Sequence, residues 1–278
     1  MTKILAIANQ KGGVGKTTTS INLGASLAKM RRQVLLVDID PQANATVGLG
    51  VDRQDIVHST YSVLLGETNV PDALIQTESG VDVLASEPSL AGIQVELTGA
   101  KDRDTRLRSA LADILKYDYV LIDCPPSLNV LTINALVAAS GVLIPVQCEY
   151  FALEGLSGLL ETFTRVRHSL NPNLGIEGLL RTMFDGRNSL SNEVSEQLKQ
   201  HFGDRVFRTV VPRNIRLAEA PSYGKPAIDY DNSCVGAQAY LALASELIHS
   251  SRTSSDESIG FGKAIAGEKK EPIDISGR

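Results

Sequence analysis

The chain has 278 residues, of which 43% are hydrophobic and 21% charged, as expected for a globular protein with one large domain or two small ones. Its formal net charge of -5 excludes a generally basic surface, so any nucleic-acid site must be a local patch. Three cysteines far apart exclude a disulfide scaffold, and no apolar run reaches the roughly 18 residues that a membrane span needs.

Apolar, β-rich runs alternate with stretches of helical periodicity along the chain. Strands are predicted at 3–9, 33–40, 81–86, 119–125, 141–147, 175–184 and 205–212. Helices are predicted at 17–30, 103–116, 130–140, 154–170, 191–202 and 236–250. This alternation predicts one α/β domain over residues 1–251, with a doubly wound, mostly parallel sheet of about seven or eight strands flanked by helices.

The C-terminal segment 252–278 differs in composition. It is rich in Ser, Gly, Glu and Lys and has no sustained periodicity. Such a segment cannot bury enough apolar surface to offset its chain entropy, so a disordered tail is predicted. The other end of the chain passes into the first strand without the pattern of a signal peptide, so a cytoplasmic location is expected.

The stretch NQKGGVGKTTT, residues 9–19, joins the first predicted strand to the first helix. A phosphate-binding loop has a Gly, four further residues, then Gly-Lys-Ser/Thr; here Gln10 stands in place of the first Gly, and an extra cation, Lys11, follows it. Backbone N–H groups at a helix N-terminus bind phosphate, Lys16 suits the β and γ phosphates, and the Thr17 hydroxyl suits Mg²⁺. The expected phosphate-binding residues are Gly12, Gly13, Val14, Gly15, Lys16, Thr17 and Thr18.

Acidic residues follow two other predicted strands. A P-loop nucleotidase needs a second acid on a neighbouring strand for Mg²⁺, and Asp123 ends an apolar strand at the edge where open α/β sheets bind ligands. Asp38 and Asp40 end another strand, and strict alternation would place them on the same side. Helix capping or a turn before Pro41 is the structural alternative for either of them.

Several motifs together resemble the deviant Walker A ATPases, which have the P-loop NTPase fold. They are KGGVGKTT, DIDPQANAT, LIDCPPS, PVQCEYFALEGLSGL and VVPRNIRLAEAPSYGKP, and the likeness extends over roughly residues 2–250. Within that group the chain is most similar to the ParA/Soj chromosome-partitioning branch, of the short type without an N-terminal helix-turn-helix.

The resemblance implies a role for particular residues. Lys11 matches the signature lysine, which reaches across an ATP-bound homodimer to the phosphates of the partner. With Lys16 and Asp40 it would form the catalytic set, Asp40 positioning the attacking water. Pro212 and Asn214 match the segment that holds adenine. ATP and Mg²⁺ are the implied ligands, and slow ATP hydrolysis is the implied activity.

The resemblance also implies non-specific binding to double-stranded DNA by the ATP form, a ParB-type partner that stimulates hydrolysis, and association with the nucleoid. Arg187 and Arg216 match the family's DNA-contacting arginines. The residues alone support this weakly, because the segment 176–226 has eight Lys or Arg against six Asp or Glu. Whether the cargo is a chromosome or a plasmid is left open.

Three other functions are compatible with parts of the sequence. A MinD-like membrane ATPase would end in a basic amphipathic helix, but the helix predicted at 236–250 is lined by Ser, Gln and Glu opposite its apolar face, so no membrane contact is expected. An iron–sulfur electron carrier would need suitably placed cysteines, and neither Cys124 nor Cys148 is so placed. A scaffold that binds ATP without hydrolysing it would not need Asp40.

Overall fold

The computed structural model describes residues 2–114 and 116–249, so the tail predicted at 252–278 lies outside the described residues. Eight strands, β1 to β8 in chain order, form one sheet. They are Lys3–Ile7, Val34–Asp38, Leu74–Gln76, Val81–Leu84, Tyr119–Asp123, Gly141–Gln147, Gly175–Phe184 and Val206–Pro212. Their spatial order is β3-β4-β2-β5-β1-β6-β7-β8, and neighbouring strands are parallel except for β3 and β4.

The α-helices of the described residues are numbered α1 to α11. They are Lys16–Lys29, Asn44–Gly48, Thr60–Leu65, Ile93–Glu96, Arg106–Ala110, Val130–Ala138, Glu154–Ser169, Ser189–Phe202, Ile215–Glu219, Ala227–Tyr230 and Val235–His249. Single turns of 3₁₀ helix occur at Arg53–Asp55, Pro71–Ala73, Pro88–Gly92, Gly203–Arg205 and Ala220–Tyr223.

Helices cover both faces of the sheet. Every residue of β2 and β5 is buried, which explains why these strands are almost entirely apolar rather than alternating. The apolar sides of α1 and α11 belong to the core on one face, and those of α6 and α7 belong to the core on the other. The predicted doubly wound, mostly parallel sheet is therefore confirmed.

Among the differences from the prediction, two concern α5 and β3. The helix expected at 103–116 is wrong in length, because α5 extends only over Arg106–Ala110. The side chain of Asn134 on α6 accepts a hydrogen bond from the Leu107 N–H at the start of α5. After α5 ends, the chain forms tight turns that bring Ile114 into the core. The short antiparallel edge strand β3 was not predicted, because its three residues are partly exposed and lack a clear pattern.

The topology places the candidate residues at one edge of the sheet. β1 lies between β5 and β6, and β5 lies between β1 and β2. In register, Ile7 is beside Asp123, and Asp123 is beside Asp38. The carboxyl ends of β1, β2 and β5 therefore meet where the glycine-rich loop leaves β1.

Candidate nucleotide-binding site

The loop between β1 and α1 presents free backbone donors. Gly13 and Gly15 have φ of 74° and 88°, the left-handed region that glycine adopts without strain. Gly15 caps α1, and no side chain bonds to the helix start. Within residues 2–114 and 116–249, the N–H groups from Gly12 to Gly15 make no hydrogen bond. Free N–H groups at the N-terminus of a 14-residue helix form an anion-binding site.

The two lysines of the loop have different surroundings. Lys16 is buried, and its ammonium donates to the Lys11 carbonyl at 3.2 Å. Burial lowers the pKa of Lys16, and the carboxylate of Asp123 opposes that shift. Lys11 is half-exposed, and its ammonium forms an ion pair with Glu149 at 2.7 Å. The loop thus carries one cation directed inward and one held at the surface.

A threonine, a serine and an aspartate form a hydrogen-bonded group beside the loop, in which Ser20 and Asp123 are buried and Thr17 is half-buried. The Thr17 hydroxyl donates to Asp123 Oδ2 at 2.8 Å, and the Ser20 hydroxyl donates to Asp123 Oδ1 at 2.7 Å. Burial and the nearby carboxylate of Asp38 raise the pKa of Asp123, against the effect of these two hydrogen bonds. A divalent cation would relieve the cost of two buried carboxylates, and hydroxyl and carboxylate oxygens are suitable ligands for Mg²⁺.

The structure separates Asp38 from Asp40. β2 ends at Asp38, so strand alternation does not extend to Asp40. Asp38 is fully buried, and its carboxylate accepts bonds from the N–H of Asp40 and from the N–H and hydroxyl of Thr46. Asp40 lines the cavity beside the loop, where its Oδ1 accepts a bond from the Gln42 N–H. Asp38 therefore organises the turn that presents Asp40.

The loop, Asp40 and the segment after β8 enclose a cavity of about 500 Å³. Nine predicted site residues line it: Gly12, Gly13, Gly15, Lys16, Thr17, Thr18, Asp40, Pro212 and Asn214. Three others do not: Lys11 faces Glu149, Val14 is buried behind the loop, and Asp123 contacts Thr17 from beneath it.

Other lining residues were not predicted. They are Gln42, Asn44, Pro126, Thr182, Met183, Val211, Arg213, Leu217, Ala218 and Tyr240. Gln42 and Asn44 lie within the motif that contains Asp40, and Arg213 lies between Pro212 and Asn214, so their positions in the sequence were a usable signal. Thr182 and Met183 lie near the end of β7, which is far from the loop in the sequence and reaches it only in the folded chain.

The cavity fits a nucleoside triphosphate with magnesium. The unbonded N–H groups and the buried Lys16 suit phosphates, and Thr17 and Asp123 have oxygens that could hold the metal. At the other end, Asn214 Oδ1 is buried without a hydrogen-bond donor among the described residues. An exocyclic amino group of a base would satisfy that oxygen.

The two predicted DNA-contacting arginines lie apart from the cavity lining. The guanidinium of Arg187 binds both carboxylate oxygens of Asp185, at 2.9 and 2.8 Å, and holds the pKa of Asp185 at about 2. The guanidinium of Arg216 pairs with Glu219 at 2.8 Å and with Asp231 at 3.4 Å. Both positive charges are thus partly neutralised within the chain.

Known proteins resemble this chain over most of its length. A family model described as an AAA domain matches residues 2–176. The chain is 54% identical over 254 residues to the chromosome partitioning protein ParA of Caulobacter vibrioides, covering 90% of this chain and 95% of that protein. It is 53% identical over 249 residues to the sporulation initiation inhibitor protein Soj of Bacillus subtilis, covering 89% and 98%.

A solved structure also resembles this chain over most of its length. Cobyrinic acid a,c-diamide synthase from Mycobacterium smegmatis, with a bound ATP analogue and magnesium, has a TM-score of 0.79 and 38% identity over 89% of this chain and 95% of that one. The predicted family, ATP and Mg²⁺ as ligands, and ATP hydrolysis as the activity are thereby confirmed. The chain belongs to the ParA/Soj family of chromosome-partitioning ATPases.

Proposed function

We propose that the chain is a dimer switch: ATP and Mg²⁺ close two copies into a dimer, the closed dimer binds double-stranded DNA non-specifically, and hydrolysis releases it. With a ParB-type partner this cycle moves a chromosome or a plasmid during partitioning. The position of Lys11 is the observation that carries the proposal.

Lys11 follows Gln10 in a phosphate-binding loop, yet its ammonium is held by Glu149 outside the cavity of its own chain. A second ammonium beside Lys16 is repulsive until a polyphosphate lies between the two. A partner's triphosphate provides that negative charge. Gly12 is consistent with this arrangement. A Cβ added at Gly12 would meet no described atom within 4 Å, so contacts within the chain do not require a glycine at this position.

Hydrolysis would depend on positioning and electrostatics rather than on a covalent step. Lys16 and the loop N–H groups hold the phosphates, and Thr17 and Asp123 hold Mg²⁺, which when bound neutralises phosphate charge. Asp40 Oδ1 accepts the Gln42 N–H, which leaves Oδ2 without a donor among the described residues. That oxygen can orient a water at the cavity, so Asp40 is the proposed water-positioning acid.

DNA binding by the dimer is proposed from charge. Each chain has only a small local excess of basic residues, and Arg187 and Arg216 are paired with acids. Two such patches on one dimer double the number of phosphates that can be neutralised. Because affinity rises steeply with that number, the dimer binds where the monomer does not. A ParB-type partner, with a basic peptide, would then stimulate hydrolysis.

The test is DNA co-sedimentation with ATP, with ADP and without nucleotide, using wild-type protein and Asp40→Ala. Binding with ATP alone that is abolished by salt, and prolonged in Asp40→Ala, is expected. Arg165→Ala is the control for loss of a surface charge and should bind DNA as the wild type does, because Arg165 is an exposed arginine that is paired, at 3.9 Å, with Glu161. Equal binding of the ADP form at the same salt concentration would refute the proposal.

The membrane-bound alternative has less support. The described residues contain no membrane-spanning helix, but a peripheral ATPase would bind through an amphipathic helix and needs no such span. The apolar face of α11 is buried in the core through Tyr240, Leu243 and Leu247, so it is not free to lie on a lipid surface. Flotation of the ATP form with anionic liposomes, without DNA binding, would favour this alternative.

A further inference from the structure

A threonine from a distant strand holds the peptide at the centre of the phosphate-binding loop. Thr182 lies near the end of β7, which is separated from β1 by β6. Its hydroxyl donates to the carbonyl of Val14 at 2.8 Å, and both residues are buried. This bond joins positions 168 residues apart in the sequence.

The bond acts on a part of the loop that could otherwise rotate. Val14 is flanked by Gly13 and Gly15, both with positive φ, and glycine tolerates many backbone conformations. A rotation of the Val14–Gly15 peptide changes ψ of Val14 and φ of Gly15, and glycine opposes the second of these changes with little steric hindrance. In the rotated form a carbonyl oxygen would face the phosphates and repel them.

A planar trans peptide directs its C=O and its N–H in opposite directions. Because the Thr182 hydroxyl holds the Val14 carbonyl, the N–H of Gly15 must point away from that hydroxyl. Gly15 lines the cavity, and its N–H has no acceptor among the described residues. The Thr182 hydroxyl thus selects the peptide orientation in which that N–H can donate to a phosphate oxygen.

The backbone of β7 is distorted at this point. Its pairing with β8 shifts register between Arg181 and Phe184, and Met183 has φ of 48°, which is uncommon for a residue with a side chain. A regular strand would not need either feature. The distortion occurs at the residue adjacent to Thr182, where β7 meets the loop.

We propose that Thr182 is a positioning residue for ATP binding, which acts on the substrate through the Val14–Gly15 peptide rather than by a bond of its own. The proposal rests on the assignment of the loop as the phosphate site. Loss of the hydroxyl lets the peptide rotate and removes one N–H bond to a charged phosphate. Because hydrogen bonds to charged groups are strong, the loss of this one should lower ATP affinity on the order of ten- to a hundred-fold.

The test measures Mg²⁺-ATP and Mg²⁺-ADP affinity by calorimetry for Thr182→Val and Thr182→Ser. Valine keeps the shape but lacks the hydroxyl, and serine keeps the hydroxyl but lacks the methyl group. The valine variant should bind both nucleotides on the order of ten- to a hundred-fold more weakly, and the serine variant should bind nearly as the wild type does. If contact of the methyl group with the nucleotide were what matters, the order would be reversed.

Two controls separate this proposal from simpler explanations. Thr77→Val removes a hydroxyl from the turn between β3 and β4, where it bonds to the Val81 carbonyl and to the Ser79 hydroxyl, each at 2.8 Å, and this change should leave nucleotide affinity unchanged. Lys16→Ala tests the site itself: if it binds ATP normally, the assignment of the loop fails.

If Lys16→Ala loses binding and Thr182→Val retains it, only the role of Thr182 is refuted. Nucleotide binding that is as weak in Thr182→Ser as in Thr182→Val would also refute the role of Thr182. Should the valine variant not fold, Thr182→Ala gives the same comparison.

Discussion

The ion pair between Lys11 and Glu149 gives a quantitative prediction for Glu149→Gln. Both side chains are partly exposed, at 35% and 48%, and their charged atoms are 2.7 Å apart. Such a pair contributes about 0.2–1 kcal/mol. In the proposed dimer both copies of the pair must break before Lys11 reaches the partner's phosphates, which costs about 0.4–2 kcal/mol. Glu149→Gln removes this cost, so ATP-dependent dimerisation should become about 2- to 30-fold tighter.

Sedimentation velocity measures this effect most cleanly in the Asp40→Ala background, where ATP persists. The dimer dissociation constant with ATP and Mg²⁺ should fall, while the melting temperature without nucleotide stays nearly unchanged. Glu161→Gln is the control, because it removes an exposed acid 3.9 Å from Arg165 and should not affect dimerisation. Weaker dimerisation of Glu149→Gln, or an equal gain in the control, would refute the competition between Glu149 and phosphate for Lys11.

The other predictions concern catalysis, pH and DNA. Asp40→Ala should retain ATP binding and lose hydrolysis at least a hundred-fold, roughly the scale of a lost catalytic group; phosphate release at normal rate would remove Asp40 from the mechanism. Burial and the carboxylate of Asp38 raise the pKa of Asp123 above its ordinary 3.8. Between pH 3.8 and this raised pKa, the Asp123 carboxyl ionises more readily in the unfolded chain than in the folded one. The nucleotide-free fold therefore loses stability as the pH rises through this range. Asp123→Asn should therefore melt higher than wild type at pH 8, with a smaller gain at pH 5, yet lose Mg²⁺-dependent activity; a lower melting temperature at pH 8 would contradict this. Arg187→Ala and Arg216→Ala should each remove two phosphate contacts per dimer and flatten the log–log salt dependence of DNA binding by about 1.8; an unchanged slope would exclude that arginine.

The phosphate end of the site could be predicted because its residues are local. Lys16 and Thr17 begin the helix that follows β1 in the chain, and Asp123 ends another strand, so the parallel sheet was enough to bring them together. The fold class followed from the same alternation of strands and helices. In each case the position in the sequence determined the position in space.

Features that depend on tertiary packing could not be predicted. Strand alternation predicted Asp38 and Asp40 on the same side, but β2 ends at Asp38, and the bonds from Thr46 make Asp38 a structural residue. Thr182 carries no motif, and only the order of β1, β6 and β7 brings it to the loop. The ion pair of Lys11 with Glu149 spans 138 residues, and no spacing rule would have revealed it.

The proposal that Lys11 acts across the dimer is tested most directly by sedimentation velocity of Asp40→Ala and of Asp40→Ala/Lys11→Ala, each with ATP and Mg²⁺. The single variant should be a dimer. The double variant should still bind ATP through the rest of the loop and remain a monomer at the same concentration. A dimer of equal stability without Lys11 would contradict the account, because the lysine would then act only within its own chain.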